Sequence, residues 1–152
     1  MNELPSAGTR SLIAGHSARS ADARAAALRV FVGEEGDAPV LTPFLLSVAA
    51  DVAEYDLTRI EAIRVLPVAC VPAGEPAAEV RAALIRLAAE DADPDVRNAA
   101  GVTVFGLPGA EDDIERMRAL IAAEEDELVA ENVDAALDLY VTRETRVTLK
   151  GS

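Results

Sequence analysis

The sequence predicts an all-α protein built from short helices of similar length. Apolar residues recur at spacings of three and four in one segment after another, as expected for the buried face of an amphipathic helix. Proline and glycine breakers separate these segments at short intervals. Alanine, the strongest helix former, is abundant, whereas the β-branched alternation typical of strands is hard to find. Six or seven helices are therefore expected.

Each predicted helix places several apolar residues on one face between two breakers. The predicted helices cover residues 21–32, 43–54, 57–70, 76–90, 94–105, 111–123 and 126–140. Thr42-Pro43 and Asp93-Pro94 are predicted as pairs of an N-cap residue and a first helical residue. Pro67 should kink its helix or end it early, because proline cannot donate the backbone hydrogen bond of a helix interior.

The predicted helices define a repeat domain at residues 20–141. Residues 1–19 form a lead segment, with a short helix around Thr9 to Ala14 as an open alternative to a loop. Residues 142–152 are predicted to be a polar, loose tail, and Gly151-Ser152 at its end is interpreted as a cloning remnant.

An internal repeat is visible in the positions of three arginines. The string DARAAAL at residues 22–28 matches DVRNAAG at residues 95–101 in its Asp, its Arg and its paired alanines. Arg24, Arg59 and Arg97 are spaced 35 and 38 residues apart, and each interval holds two predicted helices. That spacing is typical of a helical-hairpin repeat, so a short α-solenoid of antiparallel hairpins is predicted rather than a closed bundle.

Residues 91–122 resemble one HEAT-type repeat: DPDVR opens a first helix, small residues follow, and a short turn leads to a second helix. The resemblance implies that Asp95 and Arg97, with Asp22 and Arg24 in an earlier unit, tie adjacent repeats together. Proteins of this family serve as adaptors, inhibitors and accessory subunits, and a few are enzymes or nucleic-acid binders, so the fold limits function only weakly.

Two units depart from the family pattern. Leu57 stands where the third unit should have Asp, and Ala130 or Glu131 replaces Arg in the last unit. The resemblance, which covers about residues 20–140, therefore predicts irregular stacking at those two junctions.

The composition limits the classes of partner. Lys and Arg number 14 against 27 Asp and Glu, which gives a net charge of −13. A phosphate backbone would be repelled, so nucleic acid is not expected; a basic protein, a basic peptide or a cation fits better, and solubility alone is the alternative. No uncharged apolar stretch reaches the roughly 18 residues of a membrane span, and Cys70, the only cysteine, can form no internal disulfide. A soluble, cytoplasmic protein is predicted.

Asp91, Asp93 and Asp95 imitate the first ligands of a calcium loop. The sixth position of that loop needs glycine and is Val96, and the twelfth needs a bidentate Glu and is Val102. The three acids are therefore interpreted as helix-capping residues, and no metal or other cofactor is predicted.

Neither of the residue types that most often carry catalysis has a suitable setting. His16 is the only histidine, which excludes a two-histidine metal site and a serine triad within this chain, and it is predicted to lie in a loop. Cys70 lies among Val68, Ala69 and Val71 and is predicted to be an inert, buried thiol. The chain is predicted not to be an enzyme.

Negative charge is concentrated in the last third of the chain. Residues 1–33 carry two acids and four arginines, whereas residues 90–138 carry 15 acids and three arginines. Asp112, Asp113 and Glu115 have a structural explanation, because they fall in a predicted first turn, where the helix dipole favours anions.

The last predicted helix needs another explanation. Glu127, Glu131, Asp134 and Asp138 follow one another by four, three and four residues, so they line one helix face with no Lys or Arg among them. We call these four residues the acidic stripe. Such a stripe suggests that counter-charge comes from a partner, although an ordinary solvated surface is the alternative interpretation.

The first functional hypothesis is a non-catalytic protein-binding module that docks a basic protein on the acidic stripe, for instance a bacterial immunity or inhibitor protein that neutralises a toxin. The second is an accessory or chaperone-like subunit of an enzyme, as in some HEAT-like lyase relatives. A third is self-assembly through the ends of the solenoid. The sequence leaves all three open.

Overall fold

A computed structural model describes the backbone of residues 4–150 and the side chains of residues 4–147. Within that part of the chain every regular element is helical and no strand is present, so the all-α prediction is confirmed. It contains eight α-helices, and the expected six or seven was wrong because the short helix of the lead segment also forms. The helices are α1 (Ala7–Gly15), α2 (Ala21–Arg29), α3 (Ala38–Ala50), α4 (Asp56–Val65), α5 (Glu75–Glu90), α6 (Pro94–Thr103), α7 (Ile114–Ala123) and α8 (Glu127–Lys150).

The start of α3 differs from the prediction. The helix begins after Asp37, with Pro39 in its first turn, and Pro43 lies inside it. Thr42-Pro43 is therefore not the N-cap pair, because a second proline four residues earlier opens the helix first. Pro43 removes only one backbone hydrogen bond near the helix start, and burial of Leu41 and Leu45 on the core face offsets that loss.

Other helix ends follow the local signals. The helix α4 stops at Val65 and Pro67 lies in a 3₁₀ turn, as predicted for a proline at that position. The carboxylate of Asp93 accepts a 2.8 Å hydrogen bond from the backbone N–H of Asp95, so Asp93-Pro94 opens α6 as predicted. A 3₁₀ turn at Ala110–Asp113 precedes α7.

The last helix is longer than predicted. It continues to Lys150, so the segment after residue 141, predicted as a polar, loose tail, is helical up to that point. No glycine or proline interrupts residues 127–150, and the hydroxyls of Thr142 and Thr145 donate to carbonyls one turn earlier. Residues 1–3 and the predicted remnant at 151–152 lie outside the described residues. No helix in the described part has both the length and the apolar character that a bilayer crossing requires.

The helices form two layers. In one layer α2, α4, α6 and α8 contact each other in chain order, and in the other α1, α3, α5 and α7 do the same. Across the layers the closest pairs are α3 with α4, α5 with α6 and α7 with α8. The core between the layers contains fully buried Leu28, Leu45, Ile63, Leu84 and Met117. The helix α8 is the last of its layer, and the helices packed most closely against it are α6 and α7. We call the solvent-exposed side of α8 its free side.

Candidate functional site

The acidic stripe lies on the free side of α8. The carboxylate of Asp126 accepts hydrogen bonds from the N–H groups of Leu128 and Val129 at 3.0 and 3.1 Å and so caps the helix at this point. Val129, Val133 and Leu137 are buried on the core face. The helical period then directs all four stripe carboxylates to the exposed side, where each is solvent-accessible.

The carboxylates of the stripe form no ion pair with a side chain of the described chain. No ion pair among residues 4–147 includes a stripe residue, and the three arginines between positions 90 and 138 are engaged with other acids. Those pairs are Arg97 with Glu124 at 3.1 Å, Arg116 with Asp113 at 3.7 Å and Arg118 with Glu115 at 2.7 Å.

Asp113 has a different role from the one expected. Rather than serving only the dipole of α7, its carboxylate is largely buried and pairs with the Arg81 guanidinium of α5 at 2.6 Å. Arg81 also donates to the carbonyl oxygen of Pro108. Asp112 and Glu115 are exposed, as first-turn acids usually are. Asp113 is therefore a structural residue whose buried partner lies 32 positions away in the sequence.

The three repeat arginines all form ion pairs with acids in the linkers that follow the next helix. Arg24 on α2 pairs with Glu54 at 3.0 Å, Arg59 on α4 pairs with Asp91, and Arg97 on α6 pairs with Glu124 at 3.1 Å. We call these three pairs the arginine ladder. Each arginine also donates to a backbone carbonyl: His16 for Arg24, Ala49 for Arg59 and Asp91 for Arg97.

The family resemblance predicted that Asp22 and Asp95 help to tie adjacent repeats together, but neither forms part of the arginine ladder. Asp22 and Asp95 lie in the first turns of α2 and α6, and Asp95 is exposed. The third unit, where Leu57 replaces the expected Asp, still contains the most deeply buried pair: the Arg59 and Asp91 side chains are 5% and 6% exposed. These partners could have been located from the sequence, because an acid stands shortly before each of α4, α6 and α8. The acids are Glu54, Asp91 and Glu124.

Two of the three acids that imitate a calcium loop, Asp91 and Asp93, have structural roles. Asp91 pairs with Arg59 and accepts a 3.0 Å hydrogen bond from the N–H of Asp93, and Asp93 caps α6. In the described chain no group of three or more His, Cys, Asp or Glu side chains is placed to hold a metal ion.

The structure shows the surroundings of His16 and Cys70, the only histidine and the only cysteine of the sequence. The Nε2 atom of His16 lies 3.2 Å from a carboxylate oxygen of Glu54, and its ring packs edge-on against Phe44. Cys70 is exposed, so the prediction of a buried thiol was wrong. Because Pro67 ends α4, Cys70 falls in the following linker, where its φ of 59° is in the left-handed region.

Sequence reasoning missed a cavity of about 420 Å³ where the linkers after α4 and α6 meet α8. Its wall includes Pro67, Phe105 and Tyr140, and the Tyr140 hydroxyl donates to Glu111 at 2.7 Å. Burial, together with that hydrogen bond, raises the pKa of Tyr140 to about 12. The hydrogen bond anchors α8 to the linker before α7.

Comparison with protein-family models, with curated proteins and with solved structures finds no match. The HEAT-like resemblance therefore remains a prediction that rests on residues of this chain. The structural features that bear on it are the two helical layers and the arginine ladder.

Proposed function

We propose that this chain is a non-catalytic protein-binding module that docks a basic partner protein on the acidic stripe of α8. The observation that carries the proposal is the alignment of four exposed carboxylates along one helix face without an ion pair from the described chain. Like charges at these spacings cost a few tenths of a kcal/mol per pair. Because no ion pair from the described chain offsets this repulsion, we propose that a partner supplies the opposite charge.

A HEAT-like α-solenoid is the arrangement we propose for the fold. Linkers of only three residues, 91–93 and 124–126, join α5 to α6 and α7 to α8, and both pairs pack together, as expected for antiparallel hairpins. The arginine ladder recurs once per pair of helices, which supports a repeated unit. In a solenoid the last unit has a free side, and in the proposed arrangement α8, which carries the stripe, is the last helix of that unit.

Electrostatics supports protein docking over nucleic-acid binding. With a net charge of −13 the chain repels phosphates and attracts a basic surface, and such steering raises association rates more than it raises final affinity. An inhibitor that covers a basic toxin is the instance that we favour. We place it in the cytoplasm as part of the proposal, since Cys70 can form no disulfide within the chain.

The proposal is tested with a stripe variant in which each Glu of the acidic stripe becomes Gln and each Asp becomes Asn. The matched control removes the same charge from four exposed acids on other elements, by the substitutions Glu35→Gln, Glu75→Gln, Glu79→Gln and Glu90→Gln. Wild-type, stripe variant and control are immobilised and exposed to the same native lysate. We expect a basic protein that wild-type and control retain and the stripe variant loses.

The purified partner then gives the kinetic readout. Association with the stripe variant should be slower by about tenfold or more, and wild-type binding should weaken as ionic strength rises from about 0.05 M to about 0.5 M, because exposed charges are screened. A partner that binds all three baits with the same rate and the same salt dependence would make the stripe an ordinary solvated surface and refute the proposal.

A further inference from the structure

A second exposed row runs beside the acidic stripe on α8. Leu128, Asn132, Ala135 and Leu139 follow one another by four, three and four residues, and all four are exposed. The two leucines are 65% and 53% exposed, although leucine is among the residue types most often buried. We call these four residues the leucine row.

The leucine row and the acidic stripe have the same register. Each row residue directly follows one stripe residue, so the row is rotated by about 100° around the helix and stays beside the stripe over its whole length. Asn132 donates a 3.0 Å hydrogen bond to Asn98 of α6, which places the row between the stripe and α6. The exposed side of α8 therefore has a largely apolar row, interrupted by Asn132, with a negative edge.

This pattern specifies the shape and charge of an occupant. Leu128, Ala135 and Leu139 are seven and four residues apart, with the polar Asn132 at the position between the first two. These are positions of a heptad seam, at which one helix packs along another in coiled coils and where an amphipathic helix docks on a groove, and one polar residue is tolerated there. A partner helix that lies on the leucine row would place the residues on one of its flanks next to the acidic stripe. Those residues should be positively charged, because the stripe is negative.

We infer that the partner docks an amphipathic helix along α8, with apolar residues on the leucine row and Lys or Arg on the flank that meets the acidic stripe. This inference rests on the proposed function and adds the secondary structure and residue pattern of the partner. The leucines hold the bound helix and slow its dissociation, and the carboxylates accelerate its approach.

Two designed peptides of the same composition serve as probes. The flank peptide is a helix with leucines at alternating spacings of three and four and lysines next to the leucine face, whereas the back peptide carries the same lysines on the opposite face. Binding is measured by fluorescence anisotropy of the labelled peptides. We expect the flank peptide to bind wild-type protein at least about tenfold more tightly than the back peptide, which corresponds to about 1.4 kcal/mol.

Protein variants separate the two parts of the surface. In the row variant, Leu128→Ser and Leu139→Ser remove the apolar contact; its matched control, Val30→Ser with Val52→Ser, changes valines that are 79% and 83% exposed elsewhere. The flank peptide should bind the row variant about tenfold more weakly, mainly through faster dissociation, and should bind the control like wild-type. Circular dichroism of each variant checks that the helices remain formed.

Each outcome decides the inference. Equal binding of the flank peptide to wild-type and row variant, or no binding to either, would refute helix docking, and the stripe variant would still test the proposed function with the lysate partner. Loss of flank-peptide binding in the row variant with no loss in the stripe variant would refute both the proposed function and the charged flank of the inferred helix. If light scattering shows a wild-type dimer that the row variant abolishes, the row is an interface between two copies and the inference is wrong.

Discussion

At the scale of single residues, Asp37 shows how a buried carboxylate joins two helices. It accepts hydrogen bonds from the N–H and hydroxyl of Ser6 at 2.7 and 2.8 Å, from the hydroxyl of Thr9 at 2.8 Å and from the N–H of Glu34 at 2.9 Å. Burial alone would raise its pKa, but these hydrogen bonds outweigh it and lower the pKa of Asp37 to about 2. Asp37 therefore fixes α1 on the start of α3.

The lowered pKa predicts an acid-dependent loss of stability. Because the pKa is lower in the folded than in the unfolded chain, the contribution is complete above the unfolded value near 4 and is lost as pH falls toward about 2. Asp37→Asn should reduce the free energy of unfolding at pH 7 by about 2 kcal/mol, and the difference from wild-type should shrink below pH 4. Urea denaturation at several pH values measures this. An equal deficit at every pH, or a similar one in the exposed control Asp112→Asn, would contradict the interpretation.

At the scale of helices, the close approach of α6 and α8 depends on a glycine. A Cβ atom added to Gly101 would lie 2.7 Å from Cγ2 of Val133, closer than carbon atoms can pack. Valine is stiff at χ1, so the methyl group cannot easily move away. Glycine has a lower helix propensity than alanine, but because it has no side chain, α8 can pack directly against α6.

Gly101→Ala should destabilise the protein despite the better helix propensity of alanine. Overpacking costs about 1–3 kcal/mol, whereas the propensity gain is at most about 1 kcal/mol. In a Val133→Ala background the clash is absent, so the same substitution should become neutral or stabilising. A double-mutant cycle by urea denaturation measures this coupling. Stabilisation by Gly101→Ala in the wild-type background would show that the helices are not in close contact.

At the scale of the whole molecule, the arginine ladder links one pair of helices to the next. Its pairs differ in burial: the side chains of Arg59, Arg97 and Arg24 are 5%, 17% and 25% exposed. Removing one member of a buried pair leaves an uncompensated charge, and that cost falls as solvent reaches the site. Stability should therefore depend most on the central pair.

Substitution of each ladder arginine by Met should lower the free energy of unfolding in the order Arg59, Arg97, Arg24. We expect a loss of about 3–5 kcal/mol for Arg59→Met and about 1 kcal/mol for Arg24→Met. Arg118→Met is the control, since its pair with Glu115 is exposed and should contribute less than about 1 kcal/mol. Thermal and urea unfolding of the four variants gives the ranking, and equal losses along the ladder would contradict it.

The sequence by itself determined most helices and the geometry of the acidic stripe. Helix periodicity, caps and breakers act over a few residues, so Asp93-Pro94 and Pro67 could be read correctly from their neighbours. The spacing of Glu127 to Asp138 likewise needs only a helix of 3.6 residues per turn to place the stripe on one face.

Only the tertiary structure decided which of these features are buried, paired or free. Asp113 pairs with Arg81, and Arg59 with Asp91, across 32 residues of sequence in each case, a distance at which local patterns carry no information. The exposure of Leu128 and Leu139 has the same origin, because an apolar residue is buried only if another element packs against it. Local chemistry forms the helices, whereas contacts between residues far apart in sequence determine which surfaces remain available to a partner.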